Sequence, residues 1–226
     1  MKNIKRVFCA VLAVLMLFSL TACGKKGKKL SEEDAAALVQ GRLDGLYKGE
    51  INDTYLKVLG LSEEQVRTEY EENLGIYAEF FARYFNVEYP TDELKAQLVL
   101  FFQELFSRAN YTVGSVSKME DGNFVVTVEV APLDLVEQMD EAWDEWMVPF
   151  YAKYSSTDFT AMSDAEYQAM DSDWAGYVLD LAKDKLPGVG YMEAETLAVQ
   201  VSKGDDGVWS ISDDDIYTID EYIVYF

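Results

Sequence analysis

The chain has 226 residues, with 19 basic and 41 acidic side chains and no histidine, for a formal charge of −22 at pH 7. That balance excludes nucleic-acid binding through a basic face, and the missing histidine removes Ser-His-Asp and Cys-His catalysis together with the commonest transition-metal ligand. Half of the residues are hydrophobic and 14% are aromatic, which suits one packed domain and argues against extensive disorder.

At the amino terminus, Lys2, Lys5 and Arg6 precede an apolar run from Val7 to Leu20. The run is shorter than the ~20 residues that cross a hydrocarbon core and reads as a cleaved leader. It ends in Leu20-Thr21-Ala22-Cys23, which resembles the lipobox of bacterial lipoproteins. The resemblance implies diacylglyceryl transfer to the Cys23 thiol and cleavage before it. Residues 1–22 are then the signal peptide, 23–30 a lipidated cysteine with a flexible basic tether, and 31–226 a single domain. Two or more acyl chains anchor stably where one binds only marginally. The expected location is the extracytoplasmic face of the cell membrane. Lys25, Lys26, Lys28 and Lys29 either favour anionic headgroups or form a solvated spacer.

Removing residues 1–22 takes three of the 19 basic residues and none of the 41 acidic ones, moving the charge from −22 to −25. The acidity serves solubility, or it draws a basic partner or cations. With Cys9 in the leader and Cys23 acylated, the domain holds no thiol and no disulfide. No cofactor is expected.

Ser31-Glu32-Glu33-Asp34 opens a helix carried by Ala35, Leu38, Val39, Leu43, Leu46 and Tyr47 to about Lys48. A short helix spans Asp53 to Leu59 and stops at Gly60. Ser62 to Gln65 is a second capping box, ahead of a long amphipathic run to about Phe85. Thr91 caps the next helix, with Leu94, Leu98, Phe101, Phe102, Leu105 and Phe106 on one face. The period then switches from 3.6 to 2: Tyr111 to Lys118 and Phe124 to Val130 read as strands joined by an Asp-Gly turn. Helical spacing returns after Pro132 through Leu135, Met139, Trp143, Trp146, Met147, Phe150 and Tyr151, with Pro149 expected to kink the run. Ser163 to Glu166 is another capping box, and Trp174 to Leu186 a further helix stopped by Pro187-Gly188. Thr196 to Lys203 and Val208 to Ser212 read as strands. The tail from Ile216 to Phe226 fits either a helix or a strand.

The two hairpins share a phrase. Val116-Ser117-Lys118-x-x-Asp121-Gly122-x-Phe124 matches Val201-Ser202-Lys203-x-x-Asp206-Gly207-x-Trp209, which predicts one turn type with glycine in a left-handed conformation.

This order of elements, together with Leu46-Tyr47-Lys48-Gly49-Glu50, Tyr55-Leu56 and Gly60-Leu61-Ser62-Glu63-Glu64, resembles uncharacterised Firmicutes-type lipoproteins with an NTF2-like, cystatin-related α+β domain. The resemblance implies amino-terminal helices packed on an antiparallel sheet of about four strands, as a cone, with a helical insertion at about 133–194 between two hairpins. Such families have no agreed activity, so the likeness informs architecture more than function.

Candidate chemistry is sparse. Ser115-x-x-Lys118 has the Ser-Lys spacing of β-lactamases but sits in a strand. Asp171-x-Asp173-x-x-Gly176 opens like a calcium loop, yet Ala175 and Ala182 stand where ligands are needed, so it reads as an acid-rich helix N-terminus. Asp205, Asp206, Asp213, Asp214 and Asp215 form solvated turns or a loose calcium site. The aromatic stripe Trp143, Trp146, Phe150, Tyr151 and Tyr154 reads as core or, beside Trp174, as a recognition groove.

Two functions from different classes follow. The first is a non-enzymatic binding lipoprotein, with Trp143, Trp146, Trp174 and Trp209 as candidate ligand contacts and an envelope protein or small ligand as partner. The alternative is an NTF2-like enzyme using a carboxylate base and a tyrosine in an apolar cavity. A solute receptor is disfavoured because no succession of βαβ units is visible.

Overall fold

The structure is a computed structural model that describes residues 29–226. Cys23, the leader and nearly all of the tether lie outside the described residues.

Helix α1 (Glu32–Leu43) starts at the capping box of Ser31 and Asp34. A π-helical turn, Asp44–Lys48, continues it to Gly49, whose positive φ of 65° ends the helix. Helix α2 (Asp53–Leu59) is capped by Asn52, which accepts the amides of Thr54 and Tyr55. Helix α3 (Glu63–Tyr84) opens at the Ser62–Gln65 capping box and α4 (Asp92–Phe106) at Thr91. All four begin where short polar side chains satisfy amides that have no partner within the helix.

Four strands follow: β1 (Asn110–Lys118), β2 (Phe124–Ala131), β3 (Glu195–Lys203) and β4 (Trp209–Ile211). They pair antiparallel in the order β1-β2-β3-β4, with Tyr111 opposite Val130, Phe124 opposite Val201 and Lys203 opposite Trp209. Alternation decides the faces. Phe124, Val126, Val128 and Val130 are buried, as are Val199 and Val201 on the neighbouring strand. Thr112, Glu129, Thr196, Ala198 and Gln200 on the other face are exposed. The helices therefore cover one side of the sheet only.

Both hairpin turns close alike. Met119 N–H donates to Asn123 O at 2.8 Å and Gly122 N–H to Met119 O at 3.0 Å; Gly204 N–H donates to Val208 O at 2.8 Å and Gly207 N–H to Gly204 O at 2.9 Å. Gly122 and Gly207 have φ of 90° and 82°. The shared phrase thus encodes one turn, used twice.

Between β2 and β3 lie α5 (Leu135–Trp146), α6 (Val148–Tyr154) and α7 (Asp164–Lys185), ending in a 3₁₀ turn at Leu186–Gly188. Pro149 falls in the first turn of α6, where its missing N–H costs nothing, so the expected kink is a break between two helices. The capping box at Ser163 and the helix expected from Trp174 are one 22-residue helix, because no glycine or proline interrupts residues 164–175. Consequently Asp171 and Asp173 lie in a helix interior, not at its N-terminus. The tail satisfies both of its readings in turn. Asp213–Ile223 forms α8, capped by Ser212, and Val224 then bridges Leu133 in strand fashion.

The described residues form an α+β fold of eight helices and a four-stranded antiparallel sheet. Its core runs between sheet and helices, filled by Leu38, Leu43, Tyr47, Phe102, Phe106 and Phe124, each with under 2% of its surface exposed. No helix among the described residues is long and apolar enough to cross a membrane.

Candidate functional site

Three of the four candidate tryptophans come together. Trp143 on α5 stacks on Phe85, with ring centroids 5.5 Å apart and planes 15° from parallel, and meets Trp174 of α7 edge-on at 5.6 Å. Trp174 Nε1–H donates to Phe85 O at 2.6 Å and Trp146 Nε1–H to Tyr177 O at 3.0 Å. Phe150 of α6 packs against Trp174, Tyr154 and Tyr177 at 5.2, 4.9 and 5.7 Å. Backbone carbonyls thus occupy the polar ends of Trp146 and Trp174. Trp209 belongs elsewhere, on β4 against Phe124 at 5.7 Å, with the Lys203 ammonium 5.8 Å from its ring centre. Beside the tryptophans, the outer side of the insertion leaves Val148, Tyr151 and Phe159 at least half exposed.

Asp171 and Trp174 grip the same connection. Three residues apart, they share a face of α7. The buried Asp171 carboxylate accepts Glu88 N–H at 3.0 Å and Tyr89 N–H at 2.8 Å, so the bend that follows α3 is tied to α7 at two adjacent points. Its neighbour Asp173 pairs instead with Lys153 and Tyr154 of α6, which hold its carboxyl below the usual range.

A second cluster lies under α8, and sequence spacing gives no direct sign of it. The Tyr47 hydroxyl donates to the Asp220 carboxyl, and Tyr77 Oη donates to Asp220 O at 3.2 Å. Arg42 pairs with Glu69 and reaches Tyr55 Oη at 3.5 Å. Burial, joined by the Asp220 charge, drives the Tyr47 hydroxyl well above its usual range. Burial also lifts Asp220 to about 6, against the pull of the Tyr47 hydrogen bond and the Arg42 charge. At the far side of Tyr47, Tyr111 Oη donates to Asp44 at 2.8 Å. The legible hints were a lone arginine inside the apolar run of α1 and an aspartate within the Ile216, Ile219, Ile223 stripe of the tail. Their meeting, 173 residues apart for Tyr47 and Asp220, follows from tertiary packing alone.

This pairing of acid and phenol has the residue types of the enzymatic alternative, yet Tyr47 is fully buried and its ring packs on Phe106 at 5.5 Å, which in turn meets Tyr77 at 4.6 Å. One opening on the surface is a cleft of about 190 Å³ between α4 and α7, lined by Tyr89, Glu93, Leu94, Ser172, Gly176 and Asp180. Two of the five carboxylates considered for calcium serve the backbone: Asp206 accepts Val208 N–H and Asp215 accepts Gln200 N–H, at 2.9 and 2.8 Å. Among the described residues, no group of three or more acidic or cysteine side chains is placed to hold a metal ion. Ser115 lies at an irregularity in β1, its hydroxyl 3.2 Å from that of Thr127, without the helical turn that Ser-Lys chemistry needs.

These features define the class: an α+β protein on a four-stranded antiparallel sheet, with three helices inserted between its central strands. No family model and no curated protein matches the chain. Among solved structures it is similar to ycdA of Bacillus subtilis subsp. subtilis str. 168, a lipoprotein by designation, at a TM-score of 0.58 and 16% identity. The likeness covers 85% of this chain and 56% of that one, so the chain spans little more than half of its neighbour's length. It is a likeness of fold.

Proposed function

We propose that the protein is a lipid-anchored lipoprotein on the extracytoplasmic face of the membrane and that its domain acts by binding, not by catalysis. One observation carries the anchoring: a basic start and a short apolar run that end in Leu20-Thr21-Ala22-Cys23. The lipoprotein designation of the structural neighbour agrees with it. The NTF2-like reading of the domain belongs to the same proposal. It is supported by amino-terminal helices on one face of two antiparallel hairpins.

For binding, the aromatic side of the insertion is the surface of choice. Trp143, Trp146 and Trp174 back it, and Tyr151 and Phe159 present apolar area outward. The enzymatic reading draws support from Asp220 beside Tyr47, but the Tyr47 ring is fully buried against Phe106 and Tyr111.

Metabolic labelling with an alkyne fatty acid in a bacterial host tests the anchor. The native chain is expected in the membrane fraction, labelled and without residues 1–22, while Cys23→Ala is unlabelled and keeps the leader. An unlabelled native chain that retains residues 1–22 overturns the proposal.

A further inference from the structure

Helices α5 and α6 carry one continuous outward stripe. Met147 between them keeps a right-handed helical backbone, and hydrogen bonds cross the junction: Met147 N–H donates to Trp143 O and Tyr151 N–H to Met147 O, each at 3.0 Å. At 3.6 residues per turn, Glu137, Asp140, Glu141, Asp144 and Glu145 therefore line up on one side. Val148 and Tyr151 prolong the same line, and all of these side chains are exposed. The opposite side, with Val136, Met139, Met147 and Phe150, is buried. The stripe thus passes from purely acidic to apolar along its length.

Local stability does not account for this arrangement. Helix α5 holds no basic residue, and its carboxylates face one another at i,i+3 and i,i+4 spacing, where like charges repel. Asp144 and Glu145 stand in its last turn, where the macrodipole favours cations. No ion pair among the described residues engages any of the five. Val148 and Tyr151, with 58% and 50% of their surface exposed, add an apolar area beside them. A segment that breaks local rules without local gain is shaped by something outside the chain.

We infer that the α5–α6 stripe docks a basic amphipathic peptide segment of a protein partner, with its lysines or arginines over the carboxylates of α5 and its apolar side chains over Val148 and Tyr151. Charge selects this occupant. An anionic bilayer and a second copy of this acidic chain are both repelled by α5, and a small cation makes no use of the apolar end. The inference rests on the reading of the insertion as the binding surface and adds the chemistry of what binds there.

Tryptophan emission of the purified full chain tests it, in a titration with a tryptophan-free block peptide of lysine and alanine followed by leucine and alanine. Binding is expected. It should weaken about tenfold when Asp140→Asn, Glu141→Gln, Asp144→Asn and Glu145→Gln are combined, and about tenfold when Val148→Ser is joined to Tyr151→Ser. Glu71→Gln, Glu72→Gln, Glu120→Gln and Glu129→Gln together remove the same charge from exposed positions elsewhere and should change it by less than about twofold. Equal weakening by the two charge sets overturns the inference, as does equal binding of a peptide with serine in place of lysine. The second of these outcomes leaves the insertion a binding surface of another kind, whereas binding of no peptide removes both readings. Amide shifts of the native chain decide without any variant: they should move along α5 and α6 as the block peptide is added, and movement confined to the cleft between α4 and α7 or to the sheet overturns the inference. A preference for phosphatidylcholine vesicles over the peptide overturns it as well.

Discussion

Asp171 shows how a single buried charge organises a connection. The bend after α3 has no regular backbone partners for the amides of Glu88 and Tyr89, and Asp171 supplies both acceptors. A hydrogen bond to a charged acceptor contributes about 1.5–3 kcal/mol, and orphaned buried amides cost more than an absent pair. Asp171→Ala is therefore expected to lower unfolding free energy by about 2–4 kcal/mol in urea, and Asp171→Asn, with one acceptor left, by about half as much. Native stability in Asp171→Ala would mean that Trp174 on Phe85 O holds the bend alone. Sequence reading placed this acid at a helix start, where carboxylates favour the macrodipole. Nothing local separates that role from a tertiary one, since both show as an acid in a helical segment.

Elements were legible where their signals are local. Ser31, Ser62 and Ser163 announce helices because a capping box is complete within four residues, and the Phe124 to Val130 alternation states which face is buried. The join inside α7 was missed because a capping box marks a start but not a length. The Asp220 cluster was missed because it draws on α1, the π-helical turn, α3 and α8, elements far apart in sequence. The twin turns permit a test at this scale. Gly122 and Gly207 hold positive φ in matching turns, so alanine at either is expected to cost about 1 kcal/mol, the left-handed penalty for a residue with a Cβ. Denaturant midpoints should drop equally for Gly122→Ala and Gly207→Ala. A drop at one only would show that equal sequence and backbone do not make these turns equivalent.

Over the whole molecule, charge opposes packing. The chain carries 41 acidic residues against 19 basic ones, and the ion pairs among the described residues, such as Lys57 with Asp53, are largely on the surface, where each contributes well under 1 kcal/mol. Folding gathers those carboxylates onto a compact body, so the folded state bears more self-repulsion than the expanded chain. Salt weakens that repulsion as the Debye length falls from about 30 Å at 0.01 M to about 8 Å at 0.15 M, while short pairs held in partly buried sites, such as Arg42 with Glu69, are screened much less. Adding salt is therefore expected to stabilise the protein. A rise in melting temperature of several degrees between those concentrations, measured by calorimetry in NaCl and repeated in KCl, is the predicted result. A melting temperature that falls would mean that attractive pairs outweigh the excess of acid, and that the negative charge is distributed so as not to strain the fold.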